Sequence, residues 1–132
     1  MRIDPVHDDN CHELCFSFNS DSPVTDVGPL LYIKTAISTL MTNGGILGRK
    51  QCVELETALR GVTTNAAKQV LMADEIESLE VGKNADLVIL CEDLTRTKPE
   101  KIHGVRVVGT WLEGREVWSL KDELAGAKGD QA

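Results

Sequence analysis

The chain has 132 residues, of which 42% are apolar and 27% are charged, and this composition is ordinary for one globular domain. A formal net charge of −7 argues against a nucleic-acid-binding surface. No apolar run approaches the length of a bilayer span, and the first residues lack the apolar core of a signal peptide. We therefore expect neither nucleic-acid nor membrane partners. Scattered cysteines without an export signal predict reduced thiols and a cytoplasmic location (Cys11, Cys15, Cys52 and Cys91).

The N-terminal part predicts one short strand followed by a turn. Apolar and small residues alternate from Leu14 to Phe18, which is typical of a half-buried strand. Residues 19–22 are polar and Pro23 ends any ladder, so a loop follows. Asp21 would then lie just past the C-terminal end of a strand, where barrel enzymes place catalytic groups.

Apolar spacing predicts three helices in the middle of the chain. The first begins at Pro29 after Gly28 and ends at the pair Gly44–Gly45. Its apolar residues recur at helical spacing (Leu30, Ile33, Ile37, Leu40 and Met41). The second helix has one apolar face (Leu55, Ala58, Leu59 and Val62). The third is short, runs to Leu71, and has possible capping oxygens before it (Thr63, Thr64 and Asn65).

The C-terminal part predicts strands. Residues 87–91 are continuously apolar, which indicates a strand buried on both faces, and a tight turn at Gly82 precedes it. Residues 99–102 predict one helical turn, and Glu113–Gly114 predicts a hairpin turn between two further strands, at residues 105–111 and 115–118. Helices followed by a sheet indicate an α+β order. We divide the chain into a segment with one strand followed by helices (1–75), a β-strand segment (76–118) and a flexible tail (119–132).

Four possible zinc ligands lie close together near the N-terminus: His7, Cys11, His12 and Cys15. Closed zinc sites usually combine two ligand pairs that are separated by a dozen or more residues, so that the chain can wrap the ion. Here all four fall within residues 7–15 and enter a strand pattern that sends neighbouring side chains to opposite faces. This spacing favours the alternative, a polar lead-in with two buried cysteines.

Asp21 has two interpretations. A carboxylate beside a metal ion can ligate it and accept a proton from the bound water. The sequence Asp21-Ser22-Pro23 is also typical of a turn, and spacing alone favours this second interpretation.

The stretch from Ser78 to Val88 resembles the Ser-Leu-Glu-x-Gly-Lys-x-Ala-Asp-Leu-Val signature near the C-terminus of metal-dependent amidohydrolases. Three further stretches resemble the same family in its order and spacing, at residues 18–30, 47–67 and 105–117. The closest branch is amidohydrolase family 3, with its imidazolonepropionase-like and YtcJ-like proteins. The resemblance implies the last strand and following helices of a (β/α)8 barrel, then strands of a small C-terminal β-sandwich.

The resemblance also implies a chemistry and a site residue. Asp21 falls on the family's metal-ligating and proton-transferring aspartate, with Asp8–Asp9 as a rival. The implied reaction is hydrolysis of C–N bonds in small amides or cyclic amides by water that a divalent metal, zinc above all, activates. The family's other metal ligands are missing, however. There is no His-x-His, and the three histidines match none of the family's positions (His7, His12 and His103).

We therefore expect the C-terminal portion of an amidohydrolase, inactive alone and bound to no metal by itself. Its partner would be an N-terminal amidohydrolase segment or a second copy. The alternative is a free-standing, non-catalytic module that oligomerises. Strand edges without neighbours predict a homo-oligomer, most simply a dimer, with residues 87–91 and the hairpin near the interface.

Overall fold

The computed structural model describes residue 7 and residues 14–23, 26–39, 45, 48–76 and 78–129, and the side chains of 125–129 are outside this description. The α-helices with described bounds are α1 (Pro29–Ser38), α2 (Leu55–Val62), α3 (Thr64–Gln69) and α4 (Leu120–Gly129). Within the same ranges, 3₁₀ helices occupy Arg49–Gln51 and Pro99–Gly104. The strands of the described part are β1 (Leu87–Leu90), β2 (Val107–Leu112) and β3 (Arg115–Ser119). The predicted mixture of helices and strands is confirmed.

Helix α1 begins and ends for local reasons. Pro29 occupies the first turn, where its missing N–H costs nothing, and Gly28 before it is extended. Thr39 takes a left-handed conformation with φ of 47° and closes the helix through its N–H, which donates to Thr35 at 2.8 Å. The predicted start is confirmed, but the predicted end at Gly44–Gly45 is wrong, because the left-handed Thr39 ends the helix at Ser38. Leu40 and Met41 themselves lie outside the described residues.

Helices α2 and α3 follow each other with only Thr63 between them. The predicted second helix is confirmed at Leu55–Val62. The third ends at Gln69, two residues before the predicted Leu71. Thr63 does not cap it, because the Thr63 hydroxyl donates to the carbonyl of Leu59 at 2.8 Å instead. This back-bond to the preceding turn competes with capping and was not evident from the sequence.

The hydrophobic core lies among helices rather than in the sheet. Its buried members are contributed by α1, α2, the chain between them and the second 3₁₀ helix: Ile33, Ala36, Val53, Ala58 and Ile102. The N–H of Val53 donates to Ala36 at 3.1 Å, which ties the connecting segment to α1. Phe16 and Phe18 pack against this core from the N-terminal segment. Area-based burial of such side chains stabilises a fold by about 1.5–3 kcal/mol each.

The sheet is antiparallel and open, in the order β1-β2-β3. Strands β2 and β3 form a hairpin with a two-residue turn at Glu113 (φ of 50°) and Gly114 (φ of 75°). Two positive φ values in a row indicate a type I′ turn, whose twist matches that of the flanking strands. The predicted hairpin and its turn are confirmed. The predicted helical turn before β2 is also confirmed, as the 3₁₀ helix Pro99–Gly104.

Two strand predictions are wrong. Residues 14–20 belong to the described part but form no strand. Phe16 and Phe18 pack against the core, whereas Leu14 is 57% exposed. The run at 87–91 does form strand β1, yet it is not buried on both faces, because Val88 and Ile89 are 54% and 46% exposed. Within the described residues, the first segment thus lacks a neighbouring strand, and β1 lacks a layer that covers Val88 and Ile89.

The C-terminal end differs from expectation as well. The sequence predicts a flexible tail from residue 119, whereas helix α4 begins at Leu120. The Ser119 hydroxyl accepts a hydrogen bond from the N–H of Asp122 at 3.2 Å, which is a capping contact at the helix start. Among the helices within the described ranges, none is long and apolar enough to cross a membrane.

Candidate functional site

Asp21 lies on an exposed turn that its own neighbours build. Its N–H donates to Oδ1 of Asn19 at 2.9 Å, which is an Asx-turn contact, and its φ is 48°. Asn and Asp tolerate this left-handed region better than most residues. The turn interpretation of Asp21 therefore has direct geometric support.

The segment that carries Asp21 is held against helices α2 and α3. The N–H of Phe18 donates to the carbonyl of Gly61 at 3.3 Å. The side chain of Gln69 donates from Nε2 to the carbonyl of Cys15 at 3.0 Å. The rings of Phe16 and Phe18 lie 5.6 Å apart at an interplanar angle of 59°. Backbone and aromatic contacts thus fix the segment up to three residues before Asp21.

The sequence did not identify Gly61 as an anchoring position. A Cβ at Gly61 would lie 2.5 Å from the ring carbon Cε2 of Phe18, so only glycine lets the ring approach the helix this closely. The sequence signal was weak, because a glycine near a helix end is usually a terminator. Gln69 was missed for a different reason, since its bond to Cys15 joins residues that are 54 positions apart.

Within the described ranges, no group of three His, Cys, Asp or Glu side chains could hold a metal ion. His7 and Cys15 are both exposed, and the Cys15 thiol is directed toward the carbonyl of Asn65 at 3.7 Å. The prediction that Cys15 is buried is therefore wrong. Cys11, His12, Asp8 and Asp9 lie outside the described residues.

The remaining histidine, His103, is exposed in the second 3₁₀ helix. An open catalytic zinc site takes about three protein ligands plus a water. The described residues do not fit such a centre, because no three of their His, Cys, Asp or Glu side chains are grouped as it requires.

A shallow cleft of about 300 Å³ lies beside the N-terminal segment. It is lined by residues of that segment and of helices α2 and α3: Leu14, Cys15, Phe16, Thr57, Arg60, Asn65 and Lys68. The cleft is at the Leu14 end of the segment and does not include Asp21. Arg60 is already engaged there by Glu56, one helical turn earlier, at 2.6 Å.

The signature stretch forms a compact hydrogen-bonded turn around the ammonium of Lys83. Its Nζ donates to the carbonyl of Ala73 at 2.7 Å and to the hydroxyl of Ser78 at 2.9 Å. It also lies 3.2 Å from the carboxylate of Glu80, and the Lys83 side chain is only 15% exposed. One lysine therefore joins the segment before the signature to the turn within it.

The carboxylate of Glu80 is held in its charged form by this arrangement. The hydrogen bond from Lys83 lowers the pKa of Glu80, and a hydrogen bond from Ser78 and the positive charge of Lys83 lower it further. Glu80 itself is exposed, with 67% of its side chain accessible. The shift reflects a structural ion pair rather than a buried reactive acid.

The second half of the signature, residues 84–86, forms hydrogen bonds that stabilise the sheet. Oδ1 of Asp86 accepts the N–H of Glu113 at 2.7 Å, and the carbonyl of Ala85 accepts the N–H of Gly114 at 3.0 Å. The N–H of Asn84 donates to Glu75 at 2.8 Å on the other side. Gly82, with φ of 99°, makes the turn that allows these contacts. The signature residues thus stabilise the fold, and none of them is placed for catalysis by these contacts.

The comparisons with known proteins agree with this architecture. A family model described as the Amidohydrolase family matches residues 12–118. Among solved structures, an amidohydrolase from Thermotoga maritima MSB8 is similar to the chain, with 25% sequence identity and a TM-score of 0.55. The similarity covers 80% of this chain and 23% of that one, so the chain spans about a quarter of that hydrolase's length. A search of the curated proteins found no match.

Proposed function

The chain belongs to the amidohydrolase family, and we propose that it is the C-terminal portion of a hydrolase that cleaves C–N bonds of small amides or cyclic amides. The observation that carries the proposal is the family match over residues 12–118. The Thermotoga maritima relative, of which the chain covers 23%, supports the view that a complete enzyme needs further chain. The branch that we propose is amidohydrolase family 3, close to imidazolonepropionase-like and YtcJ-like proteins.

In this proposal the chain divides into a site residue and a scaffold. Asp21 is the group that would ligate the metal and accept a proton in the complete enzyme. Its place at the end of an anchored segment supports this role, since Phe18 and Cys15 hold that segment to helices α2 and α3. Residues 79–118 are scaffold, because the bonds of Lys83 and Asp86 serve the turn and the hairpin.

A divalent metal, zinc above all, is what the family implies, but the described residues do not fit a catalytic centre for it. We therefore assign no hydrolytic step to this chain alone and propose that it is inactive by itself. The missing ligands would come from an N-terminal amidohydrolase segment. Free thiols at Cys15, Cys52 and Cys91 support the proposed cytoplasmic location. The alternative, a non-catalytic module, has no observation that favours it over the family function.

The first experiment assays the purified chain with added zinc or manganese against a panel of amides and cyclic imides. We expect no metal-dependent hydrolysis. Turnover that requires metal and disappears in Asp21→Asn would show that the chain assembles its own site, and would contradict the proposed inactivity.

The second experiment supplies the missing part. The chain is co-expressed with the product of the open reading frame directly upstream, provided that this frame carries His-x-His. We expect hydrolysis that falls by roughly 10²–10⁴-fold in Asp21→Asn, because a proton-transferring carboxylate contributes a factor of this size. Asp26→Asn is the matched control, since Asp26 is also exposed and lies five residues away. Full activity in Asp21→Asn would remove Asp21 from the site.

The alternative function has its own test. If no upstream open reading frame carries His-x-His, and the intact mass in cells equals that of the 132 residues, the non-catalytic module becomes the better-supported interpretation.

A further inference from the structure

The turn that carries Asp21 begins directly after an anchored residue. The N–H of Phe18 donates to the carbonyl of Gly61 at 3.3 Å, and Phe18 packs against the core. Asn19 is the next residue, and its Oδ1 accepts the N–H of Asp21 at 2.9 Å. One carboxamide therefore connects a residue that is fixed to helix α2 with the backbone of Asp21.

The backbone of Asp21 is in an uncommon conformation. Its φ is 48°, whereas most residues other than glycine have φ between about −50° and −160°. A return to that range would rotate the Cα–Cβ bond of Asp21 by about 100° or more around its N–Cα bond. Cβ would then move by about 2 Å or more and carry the carboxylate with it. The direction of the Asp21 side chain thus depends on a positive φ.

Local hydrogen bonding has to keep φ positive at Asp21. The side chains of Asn19, Asp21, Ser22 and Pro23 are all exposed, so burial gives this turn little support. An asparagine that accepts the N–H two residues later imitates a backbone turn, and this is the bond that Asn19 forms. The carboxamide of Asn19 therefore restrains the orientation of the peptide group that enters Asp21.

We propose that Asn19 is a positioning residue, whose carboxamide holds Asp21 in the left-handed conformation that orients the Asp21 carboxylate in the complete hydrolase. The inference rests on the proposed function, in which this carboxylate accepts a proton. Asn19 touches no reacting atom in this role. A misplacement of about 1 Å can cost about 10²-fold in rate, so a carboxylate displaced by about 2 Å contributes little to the reaction.

The strength of one hydrogen bond sets the size of the effect. The net contribution of a typical hydrogen bond changes an equilibrium by roughly 2–10-fold. Asn19→Ala should therefore lower the fraction of molecules with a correctly oriented carboxylate, and with it kcat, by roughly 2–10-fold. KM should not change, because the bond serves the chemical step. Asp21→Asn removes the carboxylate itself and should cost roughly 10²–10⁴-fold.

The first measurement follows hydrogen exchange of the Asp21 amide in the purified chain alone. We expect this amide to exchange roughly 2–10-fold faster in Asn19→Ala than in the unaltered chain. Asn19→Asp keeps an acceptor at Oδ1 and should restore slow exchange. Asn84→Ala is the matched control, because Asn84 is also exposed and its bond to Glu75 is formed by its backbone N–H. The control should leave the Asp21 amide unchanged.

The second measurement compares kcat in the chain that is co-expressed with the His-x-His segment. Asn19→Ala should lower kcat in the unaltered chain but add no further loss to Asp21→Asn, since the carboxylate through which Asn19 acts is then absent. Asn19→Asp should recover kcat, and Asn84→Ala should not lower it. A purely structural role of Asn19 would instead lower activity by the same factor in both backgrounds.

Failure of this inference and failure of the proposed function give different results. The inference alone is overturned if the Asp21 amide exchanges equally fast in Asn19→Ala and the unaltered chain. It is also overturned if Asn19→Ala keeps full kcat while Asp21→Asn loses it, or if the loss from Asn19→Ala persists in Asp21→Asn. Full activity in Asp21→Asn would overturn the assigned site and this inference together.

A milder variant keeps the test decisive if Asn19→Ala does not fold. The hydroxyl of Asn19→Ser accepts the same bond more weakly, so amide exchange at Asp21 and kcat should both lie between those of the unaltered chain and complete loss of the bond. Values equal to those of the unaltered chain would overturn the inference.

Discussion

The carboxylate of Asp86 accepts the backbone N–H of Glu113 at 2.7 Å, and this contact joins the residue before β1 to the turn of the β2–β3 hairpin. Glu113 has φ of 50°, which is uncommon for a residue other than glycine, asparagine or aspartate. The charged acceptor compensates for that conformation by holding the N–H in place. Asp86 is thus the point where the family signature fixes the hairpin.

We expect Asp86→Ala to lower the free energy of unfolding by about 1–3 kcal/mol, because it removes a hydrogen bond to a charged group. The loss is measured as a shift in the urea midpoint, together with faster amide exchange at Glu113. Asp86→Asn should recover part of the loss, since its Oδ1 still accepts. Glu113→Gln keeps the backbone N–H and is the control. Equal midpoints for Asp86→Ala and the unaltered chain would show that the hairpin does not depend on this contact.

The Lys83 ammonium contacts Ala73, Ser78 and Glu80. Lys83→Met keeps the length of the side chain but removes the donors to Ala73 and Ser78. We expect a loss of about 1–3 kcal/mol, since the bonds come from a charged donor that is mostly buried. Lys68→Met changes an exposed lysine of helix α3 and should alter stability by at most about 0.5 kcal/mol. Similar thermal midpoints for the two variants would contradict a structural role of the Lys83 ammonium.

The Glu80–Lys83 pair predicts a pH dependence with a definite sign. The pKa of Glu80 is lowered in the folded chain, first by the hydrogen bond from Lys83, so the folded state holds its proton less tightly than the unfolded state. The contribution of Glu80 to stability is therefore fully present above the unfolded pKa of about 4.3 and is lost as the pH falls through the lower folded pKa. Glu80→Gln should lower the unfolding midpoint at neutral pH, and this difference should fade in acid. A difference that persists unchanged at acidic pH would show that the carboxylate charge is not what stabilises the turn.

Local patterns in the sequence were sufficient to predict the elements whose conformation depends on nearby residues. Pro29 after Gly28 located the start of α1, and Glu113–Gly114 located the hairpin turn, because in each case the backbone conformation is set by the residues themselves. Likewise, the turn at Asp21 was recognisable from Asn19 to Pro23.

The predictions from the sequence were wrong for segments whose structure depends on residues far away in the chain. Residues 14–18 alternate like a strand, but a strand needs a neighbouring strand. The described residues offer them isolated contacts with helices α2 and α3 instead, at Gly61, Asn65 and Gln69. Strand β1 is apolar enough for burial on both faces, but its sequence does not say whether anything covers it. For the proposed site, Asp21 was assigned through family resemblance alone, whereas the contacts that anchor its segment connect residues more than 40 positions apart.

Gly82 and Gly104 form a matched pair that isolates the effect of backbone conformation. At both positions an added Cβ would meet no atom within 4 Å, so neither substitution creates a clash. Gly82 has φ of 99°, which L-residues rarely adopt, whereas Gly104 does not lie in that region. Gly82→Ala should therefore cost about 1–3 kcal/mol. Gly104→Ala should be neutral or stabilise the chain by at most about 1 kcal/mol, through the unfolded state. Equal unfolding midpoints would show that the signature turn does not require positive φ.

Gly61 tests whether the Asp21 segment is held by close packing on helix α2. An alanine Cβ there would lie 2.5 Å from Cε2 of Phe18, and Phe18 cannot withdraw freely because it packs against the core. We expect Gly61→Ala to destabilise the chain by about 1–3 kcal/mol through overpacking, even though alanine is the better helix former by about 1 kcal/mol. The unfolding midpoint in urea measures the net effect.

A double-mutant cycle tests whether the loss of stability in Gly61→Ala comes from contact with the Phe18 ring. Phe18→Leu shortens the side chain, so Gly61→Ala should cost less in this background than in the unaltered chain, with an interaction energy of at least about 0.5 kcal/mol. The amide of Phe18, which donates to the Gly61 carbonyl at 3.3 Å, should exchange faster in Gly61→Ala and recover in the double variant. Additive costs would mean that the segment before Asp21 is not positioned by the contact between Phe18 and Gly61.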